Sequence, residues 1–163
     1  MQLQNSKILP FTQEQVFSVV HDVTSYQEFL PWCARSRILW QNPPEFEGEL
    51  EISFGPFRHA FSTINKVQFP SLISMKLAKG PFRMLEGYWS FKEITKQSCE
   101  VSFKLIFEFD HPILSYAFSV FFQQIYSSLI DSFEARLYSL FPANVGGNES
   151  KTLYNSSILS NRL

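Results

Sequence analysis

The sequence predicts one α+β domain in which a curved antiparallel sheet is covered by a long C-terminal helix. Apolar and polar residues alternate in several runs between about residue 35 and residue 109, with Gly-Pro turn signals between runs. One helical pattern, with apolar residues at three- and four-residue steps, then fills 112–140. A first strand at 2–9 precedes two short helical patterns. Because one face of such a sheet is apolar, the long helix is expected to cover it.

The composition favours one compact domain with a bulky interior. The chain has 163 residues, which is enough for a substantial core. We assign 1–141 to this domain and 142–163, which is polar and rich in Asn, Ser and Gly, to a flexible tail. Aromatic residues make up 17% of the chain, and 18 of them are Phe. This content predicts either a tightly filled core or an apolar cavity.

Charge and cysteine content exclude several classes of protein. The formal net charge of -1 gives no basic footprint of the kind that DNA-binding proteins show. Cys33 and Cys99 form no ligand motif and the three histidines are scattered, so no local metal site is predicted. Two free thiols in a reducing compartment are expected, with a long-range disulfide as the open alternative.

The N-terminal residues predict a cytoplasmic protein, or a mitochondrial matrix protein whose leader has been removed. Residues 1–20 lack both a basic segment followed by an apolar run and the arginines of a transit peptide. The least charged stretch, 112–130, contains six Ser and Gln residues, so we expect an amphipathic helix and not a membrane span. Peripheral contact with the inner face of the membrane is compatible with both expectations.

Two capping signals place the short helices. Thr12 with Gln15 three positions later is a capping-box pattern, and it predicts a helix over 13–21. Ser25 and Glu28 repeat the pattern just before the second helix.

The second helix is predicted over 26–30, and it ends at a proline within YQEFLPWC, residues 26–33. This connection is unusually apolar. We predict that Tyr26 and Phe29 belong to the core. Leu30 and Trp32 are predicted to form a lid over a cavity mouth, with an outer side that meets the membrane.

The strand runs predict one apolar and one solvent face. Residues 46–54 alternate between apolar positions and Glu47, Glu49 and Glu51, which are expected to be in solvent. The strongest alternation is at 101–109, directly before the long helix. Gly87 lies at an inward position between two larger residues, and it is expected to leave space there.

Several segments resemble one known family. Residues 20–33, VHDVTSYQEFLPWC, resemble the DV-x-x-Y-x-x-FLPWC signature of the ubiquinone-binding START-like family, although His21 stands where small or polar residues are usual. Residues 80–91, GPFRMLEGYWSF, are similar to its GPF-x-x-L-x-G-x-W-x-F segment. Residues 99–109, CEVSFKLIFEF, and 133–136, FEAR, resemble its last strand and the F-x-x-R near the end of its last helix. The resemblance covers about 3–141.

This resemblance implies a helix-grip fold of the polyketide cyclase-like superfamily, with an apolar cavity between sheet and helix. The family includes coenzyme Q-binding proteins, which implies non-enzymatic binding of ubiquinone or a related isoprenoid lipid in support of respiratory electron transfer. No cofactor other than this bound lipid is implied. The residues we predict to bind it are Phe29, Leu30, Trp32, Leu85, Trp89, Phe91, Phe107, Phe118, Phe121 and Phe122.

Two alternatives remain open at the level of sequence. The family also includes bacterial ribosome association toxins, which implies a ribosomal subunit as partner and a block of subunit joining. The basic residues at polar strand positions are interspersed with glutamates, which is typical of a solvated face; they are Arg58, Lys66, Lys76, Lys92 and Lys104. A cyclase or hydrolase is the other alternative, on analogy of fold alone, since no nucleophile-elbow pattern or catalytic dyad is present.

Overall fold

The computed structural model describes residues 1–142, apart from the side chains of Leu114 and Ala117. Residues 143–163, which are most of the predicted tail, lie outside the described part. Seven strands and three helices make up the fold. In chain order they are β1 Gln2–Leu9, α1 Gln13–His21, α2 Tyr26–Phe29, β2 Cys33–Asn42, β3 Glu45–Phe54, β4 Phe57–Gln68, β5 Leu72–Lys79, β6 Phe82–Thr95, β7 Ser98–Phe109 and α3 Pro112–Leu140.

The seven strands form one antiparallel sheet in the order β1-β7-β6-β5-β4-β3-β2. Strands β2 to β7 are therefore a meander, and β1 closes the sheet beside β7. Register shifts place extra residues in β2, β5 and β6, and such bulges bend strands. Helix α3 lies against β1 and β7, while α1 packs on β6 and β7. These observations confirm the predicted α+β helix-grip fold.

The first capping prediction is confirmed and the second is wrong. The Thr12 backbone N–H donates to the Gln15 side chain at 3.0 Å, and the Gln15 N–H donates to the Thr12 hydroxyl at 3.1 Å. Ser25 makes no side-chain cap for α2. Its hydroxyl donates instead to Asp22 at 2.5 Å, because a turn of 3₁₀ helix over Val23–Ser25 places the two side chains together.

The predicted strand faces over 46–54 and 101–109 are confirmed except at Glu47 and at Phe54, an inward position whose side chain is 40% exposed. Glu49 and Glu51 form ion pairs at the outer surface of the sheet. Glu47 was expected in solvent, but it is 8% exposed. Its carboxylate accepts hydrogen bonds at 2.7 Å from the indole of Trp40 and from the hydroxyl of Ser62. Neighbouring side chains on the outer face therefore cover it, and strand periodicity carries no information about such coverage.

Both cysteines are free and buried, which confirms the expected thiols and not the disulfide. Burial raises the pKa of the Cys33 thiol and that of the Cys99 thiol to about 11. Both thiols are therefore protonated at neutral pH.

Two of the sequence motifs meet where α2 crosses α3. The ring of Phe133 contacts the rings of Tyr26 and Phe29, with centroids 5.2 Å apart in each pair. The Arg136 guanidinium donates to Glu28 at 2.7 Å and lies over the Phe29 ring, 5.3 Å from its centroid. This α2–α3 contact fixes the start of the segment that carries Leu30 and Trp32.

Candidate binding cavity

An apolar cavity lies between the sheet and α3. Every strand except β2 contributes to its wall, and α3 contributes Phe122, Ile125, Tyr126, Leu129 and Phe133. The end nearest α1 and α2 is closed by Val20, Val23, Tyr26, Leu30 and Trp32. The empty space is about 960 Å³, a volume that includes the solvent at its open mouth.

The wall contains no charged side chain. Its polar members are Thr63 and Asn65 on β4, together with Trp32 and two tyrosines. The Asn65 amide donates to the Thr63 carbonyl at 2.9 Å and to the Thr63 hydroxyl at 3.0 Å. An anionic ligand would be desolvated here without a compensating cation, so the cavity favours a neutral and largely apolar guest.

A second, open groove adjoins the cavity. It is lined by Pro31, Trp32, Ser53, Phe54, Phe121, Gln124, Ile125 and Ser128, and it holds about 480 Å³ of empty space. Trp32 and Ile125 line both spaces, so they form the partition between them. The Trp32 backbone is held in place, since its carbonyl accepts from the Ser53 N–H at 2.9 Å.

Half of the ten residues predicted to bind ligand line this cavity. They are Leu30, Trp32, Leu85, Trp89 and Phe122. Leu30 is only 2% exposed, so the expectation that its outer side meets the membrane is wrong, while its role as a lid over the cavity stays a prediction. Trp32 is partly buried at the partition, and Tyr26 is buried as expected. Their role in binding remains a prediction.

The other five predicted residues do not line the cavity, and for three of them the reason is that neighbouring rings fill the space around them. Phe91 packs on Phe17 of α1, with ring centroids 5.3 Å apart. Phe107 stacks on Phe122 at 4.9 Å, and Phe118 packs on Phe109 at 5.2 Å.

The remaining two of these five lie outside the cavity altogether. Phe29 is outside the cavity on the α3 contact described above. Phe121 packs on Phe54, with centroids 4.2 Å apart, and lines the outer groove.

The glycine that opens the cavity is Gly48 and not Gly87. A Cβ at Gly87 would lie 2.7 Å from the Met75 Cγ, so the expected space there is already occupied. Gly48 lines the cavity, and a Cβ there would meet Phe46, Asn65 and Val23 at ordinary contact distances. The Met75 side chain covers Gly87 and itself lines the cavity, so Gly87 does not reach the cavity wall.

Sequence reasoning missed Tyr126 and Asn65 as cavity residues. Tyr126 lies one helical turn after Phe122, on the same face of α3, so helical spacing alone would have included it. Asn65 was visible as a polar interruption at an inward position of its strand. An inward polar residue in an apolar run is a signal for a site, because burying it unpaired is unfavourable.

Among the described residues, no group of three His, Cys, Asp or Glu side chains is arranged to hold a metal ion. Within the same residues, no helix combines the length and the apolar character needed to cross a membrane.

Comparison with known proteins gives consistent relationships. The sequence profile of the family described as polyketide cyclase / dehydrase and lipid transport matches residues 9–134. Ribosome association toxin RatA of Escherichia coli K12 is 31% identical over 142 residues, which are 87% of this chain and 90% of that protein. Coenzyme Q-binding protein COQ10 homolog B of Xenopus laevis is 30% identical over 138 residues, which are 82% of this chain and 57% of that protein.

Solved structures agree with the fold. The solution structure of an 18 kDa protein from Caulobacter crescentus is 27% identical, has a TM-score of 0.70, and covers 86% of this chain and 97% of its own. A START superfamily protein from Mycobacterium smegmatis has a TM-score of 0.71 at 19% identity, and the match covers 85% of this chain and 98% of that protein. The Zhui aromatase/cyclase from Streptomyces sp. R1128 gives 0.73 at 9% identity, covering 88% and 97%, which shows a shared fold alone.

Proposed function

Because the chain belongs to the polyketide cyclase / dehydrase and lipid transport family, we propose that it binds a neutral isoprenoid lipid, ubiquinone or a close relative, in the cavity described above. The observation that carries the proposal is an apolar cavity whose wall has no charged side chain. An isoprenoid tail gains about 25 cal/mol for each Å² removed from water. The match to a coenzyme Q-binding protein supports a quinone as the head group.

We propose that such a protein works in the cytoplasm and at the inner face of the membrane, where it would supply or hold quinone for respiratory electron transfer. The mitochondrial inner membrane is the corresponding site if the chain is an organellar protein. Membrane contact is supported by exposed apolar side chains on α3, because Ile113, Tyr116 and Val120 are 82%, 81% and 58% exposed. They lie at i, i+3 and i+7 on one face, close in sequence to groove residue Phe121.

The proposal is tested by what the purified protein carries and takes up. We expect mass spectrometry of the extracted protein to find a quinone, and decylubiquinone to quench the fluorescence of Trp32 and Trp89 in the cavity wall. Decanoate, which has an apolar chain but a charged head, should bind far more weakly, because no cation faces it. Absence of any co-purified lipid together with no response to decylubiquinone would reject the function.

Ribosome association is the second candidate function, and the RatA relatives favour it. Of the five basic residues predicted on the outer strand positions, Arg58 pairs with Glu51 and Lys76 with Glu86. Lys66, Lys92 and Lys104 form no ion pair with the described residues, so these three of the five are available to a ribosomal subunit. Sucrose-gradient sedimentation with added protein tests this, since unchanged subunit joining would exclude it.

A binding role fits the cavity better than catalysis. Its wall presents no His, Asp, Glu, Lys or Cys side chain, and the only hydroxyls among its lining residues are those of Tyr26, Thr63 and Tyr126. The cyclase among the structural relatives shares the fold at 9% identity, so it lends no residue to this chain. A chemically altered ligand recovered after incubation would count against this proposal.

A further inference from the structure

Two polar atoms in the cavity wall have no hydrogen-bond partner among the described residues. They are the indole Nε1 of Trp32 and the hydroxyl of Tyr126, and both atoms are buried. Two other polar groups of the wall are paired within the protein. The Tyr26 hydroxyl donates to the Val20 carbonyl, and the Asn65 amide donates to Thr63. An unpaired buried polar group is costly, so the two exceptions mark a place for a missing partner.

The chemistry of the Trp32 indole restricts its missing partner to a hydrogen-bond acceptor. An indole N–H can only donate. Elsewhere in this protein an indole is provided with an acceptor, since Trp40 donates to the Glu47 carboxylate at 2.7 Å. Trp32 stands at the partition between cavity and outer groove, and its backbone is tied to Ser53. A guest that passes or fills this partition would meet the indole N–H.

Tyr126 supplies a neutral hydroxyl at the same cavity. Burial raises the pKa of this hydroxyl, and the nearby backbone of Gln4 lowers it to a smaller extent. The hydroxyl and the Gln4 backbone do not form a hydrogen bond of regular geometry. The hydroxyl therefore keeps its proton at physiological pH and can donate or accept. It lies on α3 among apolar side chains of the wall, including Phe122 and Leu129.

We propose that Trp32 and Tyr126 hold the polar head of the bound lipid, with the indole N–H donating to one of its oxygens. The ligand is then a neutral lipid whose head carries oxygen acceptors, such as the carbonyls of a quinone, and not an isoprenoid hydrocarbon. This inference rests on the proposed function, since it names the residues and the chemistry by which that cavity selects its guest.

The test compares two probes with the same tail. Decylubiquinone carries carbonyl oxygens, whereas decylbenzene has a ring and a decyl chain without any acceptor. We expect Tyr126→Phe and Trp32→Phe each to weaken decylubiquinone binding about 3- to 10-fold, as expected for one hydrogen bond. Decylbenzene binding should change much less in Tyr126→Phe. In Trp32→Phe, the change in decylbenzene affinity measures how much binding is lost because phenylalanine has a smaller ring than tryptophan.

Two control variants make the same Tyr→Phe and Trp→Phe substitutions at positions outside the cavity. Tyr138→Phe lies on the same helix, where the ring packs on Phe11 outside the cavity. Trp40→Phe removes an indole from the outer face of the sheet. Neither control should alter the ratio of the two affinities.

A spectroscopic measurement locates the contact directly. The chain has 3 Trp, so the proton NMR spectrum contains one indole N–H signal for each. The signal that disappears in Trp32→Phe should move on addition of decylubiquinone and should move less with decylbenzene. The signal of Trp40 should stay in place with both probes.

The outcomes separate this inference from the proposed function. If the wild-type protein binds neither probe, the lipid-binding function fails and the inference fails with it. If both probes bind and the variants weaken both equally, lipid binding stands and the head-group role of Trp32 and Tyr126 is overturned. A selective loss of decylubiquinone binding, with the indole shift assigned to Trp32, supports both.

Discussion

Neighbouring inward residues on one strand have different surroundings in this protein. Leu105 and Phe107 share a face of β7, yet Leu105 lines the cavity and Phe107 stacks on Phe122. Trp89 and Phe91 differ in the same way on β6, because α1 covers Phe91. Strand parity predicts which side of the sheet a residue faces. It does not predict whether the opposite helix touches it.

The buried thiols give a prediction at the scale of single residues. Because burial raises the pKa of Cys33 and Cys99 from 9.0 to about 11, the native protein keeps protons that the unfolded chain has already lost between these values. The free energy of unfolding should therefore be constant between pH 7 and 8 and should fall from about pH 9 towards pH 11. Urea unfolding at stepped pH measures it.

A matched variant isolates the contribution of the thiols. In the double variant Cys33→Ala and Cys99→Ala, part of the alkaline loss should disappear. The part due to Tyr26 should remain, because burial also raises the pKa of its hydroxyl. Rapid labelling of the folded wild-type protein by a disulfide reagent at pH 7.5 would contradict the burial of both thiols.

At the scale of elements, helix α2 is short and depends on its contact with α3. Ser25 makes no side-chain cap at its start, and the Gln27 N–H in its first turn donates instead to the hydroxyl of Ser36 on β2 at 3.2 Å. Phe29 and Glu28 are held by Phe133 and Arg136 of α3. Isolated helices of this length are unstable in water, so α2 depends on the support of α3 together with that of Ser36 on β2, whose N–H donates to the Gln27 side chain. This explains why two motifs far apart in sequence, FLPWC and F-x-x-R, function as one contact.

Arg136→Lys tests this contact. Lysine keeps the charge but loses the planar group that both pairs with Glu28 and lies over the Phe29 ring. We expect the free energy of unfolding to fall by about 0.5–1 kcal/mol. Arg37→Lys is the matched control, because Arg37 pairs with Glu49 on the outer face of the sheet and lies over no ring among the described residues. Equal effects of the two substitutions would show that the ring contact contributes nothing.

At the scale of the whole molecule, the cavity and the outer groove adjoin one another and are separated by the partition of Trp32 and Ile125. The groove reaches Phe121 on α3, and the exposed residues Ile113, Tyr116 and Val120 lie in the same half of that helix. Between Pro112 and Ile130 the helix carries no charged residue, so its approach to a lipid surface meets no charge desolvation. The outer groove and the surface that we propose to touch a bilayer are therefore close to each other along α3.

The combined variant Ile113→Ser and Val120→Ser tests this surface. We expect it to reduce sedimentation with neutral phosphatidylcholine vesicles several-fold, because each serine removes apolar area from the contact. The control is the variant Ile8→Ser and Ile94→Ser, since those residues are exposed on β1 and β6. Decylubiquinone binding in detergent-free buffer should be unchanged in both variants. Vesicle binding that falls equally in the two would contradict a role for the α3 surface.

The elements and their order were determined by the sequence alone. The helix bounds 13–21 and 112–140 agree with Gln13–His21 and Pro112–Leu140, because capping and periodicity are local properties of the chain. The short second helix was expected over 26–30 and spans Tyr26–Phe29. The resemblance of the motifs to a known family added the expectation of an apolar cavity between the sheet and the long helix.

The tertiary structure decided which inward residues line empty space and which polar atoms are left unpaired there. Phe107 and Phe118 looked as suitable as Leu85 and Trp89, but the first half of α3 lies close enough to the sheet for rings to fill the gap. The Trp32 indole N–H is likewise unpaired because the described part of the packed chain places no hydrogen-bond acceptor beside it. Periodicity reports the direction of a side chain, whereas a cavity is set by the distance between layers, and that distance arises only when the whole chain has packed.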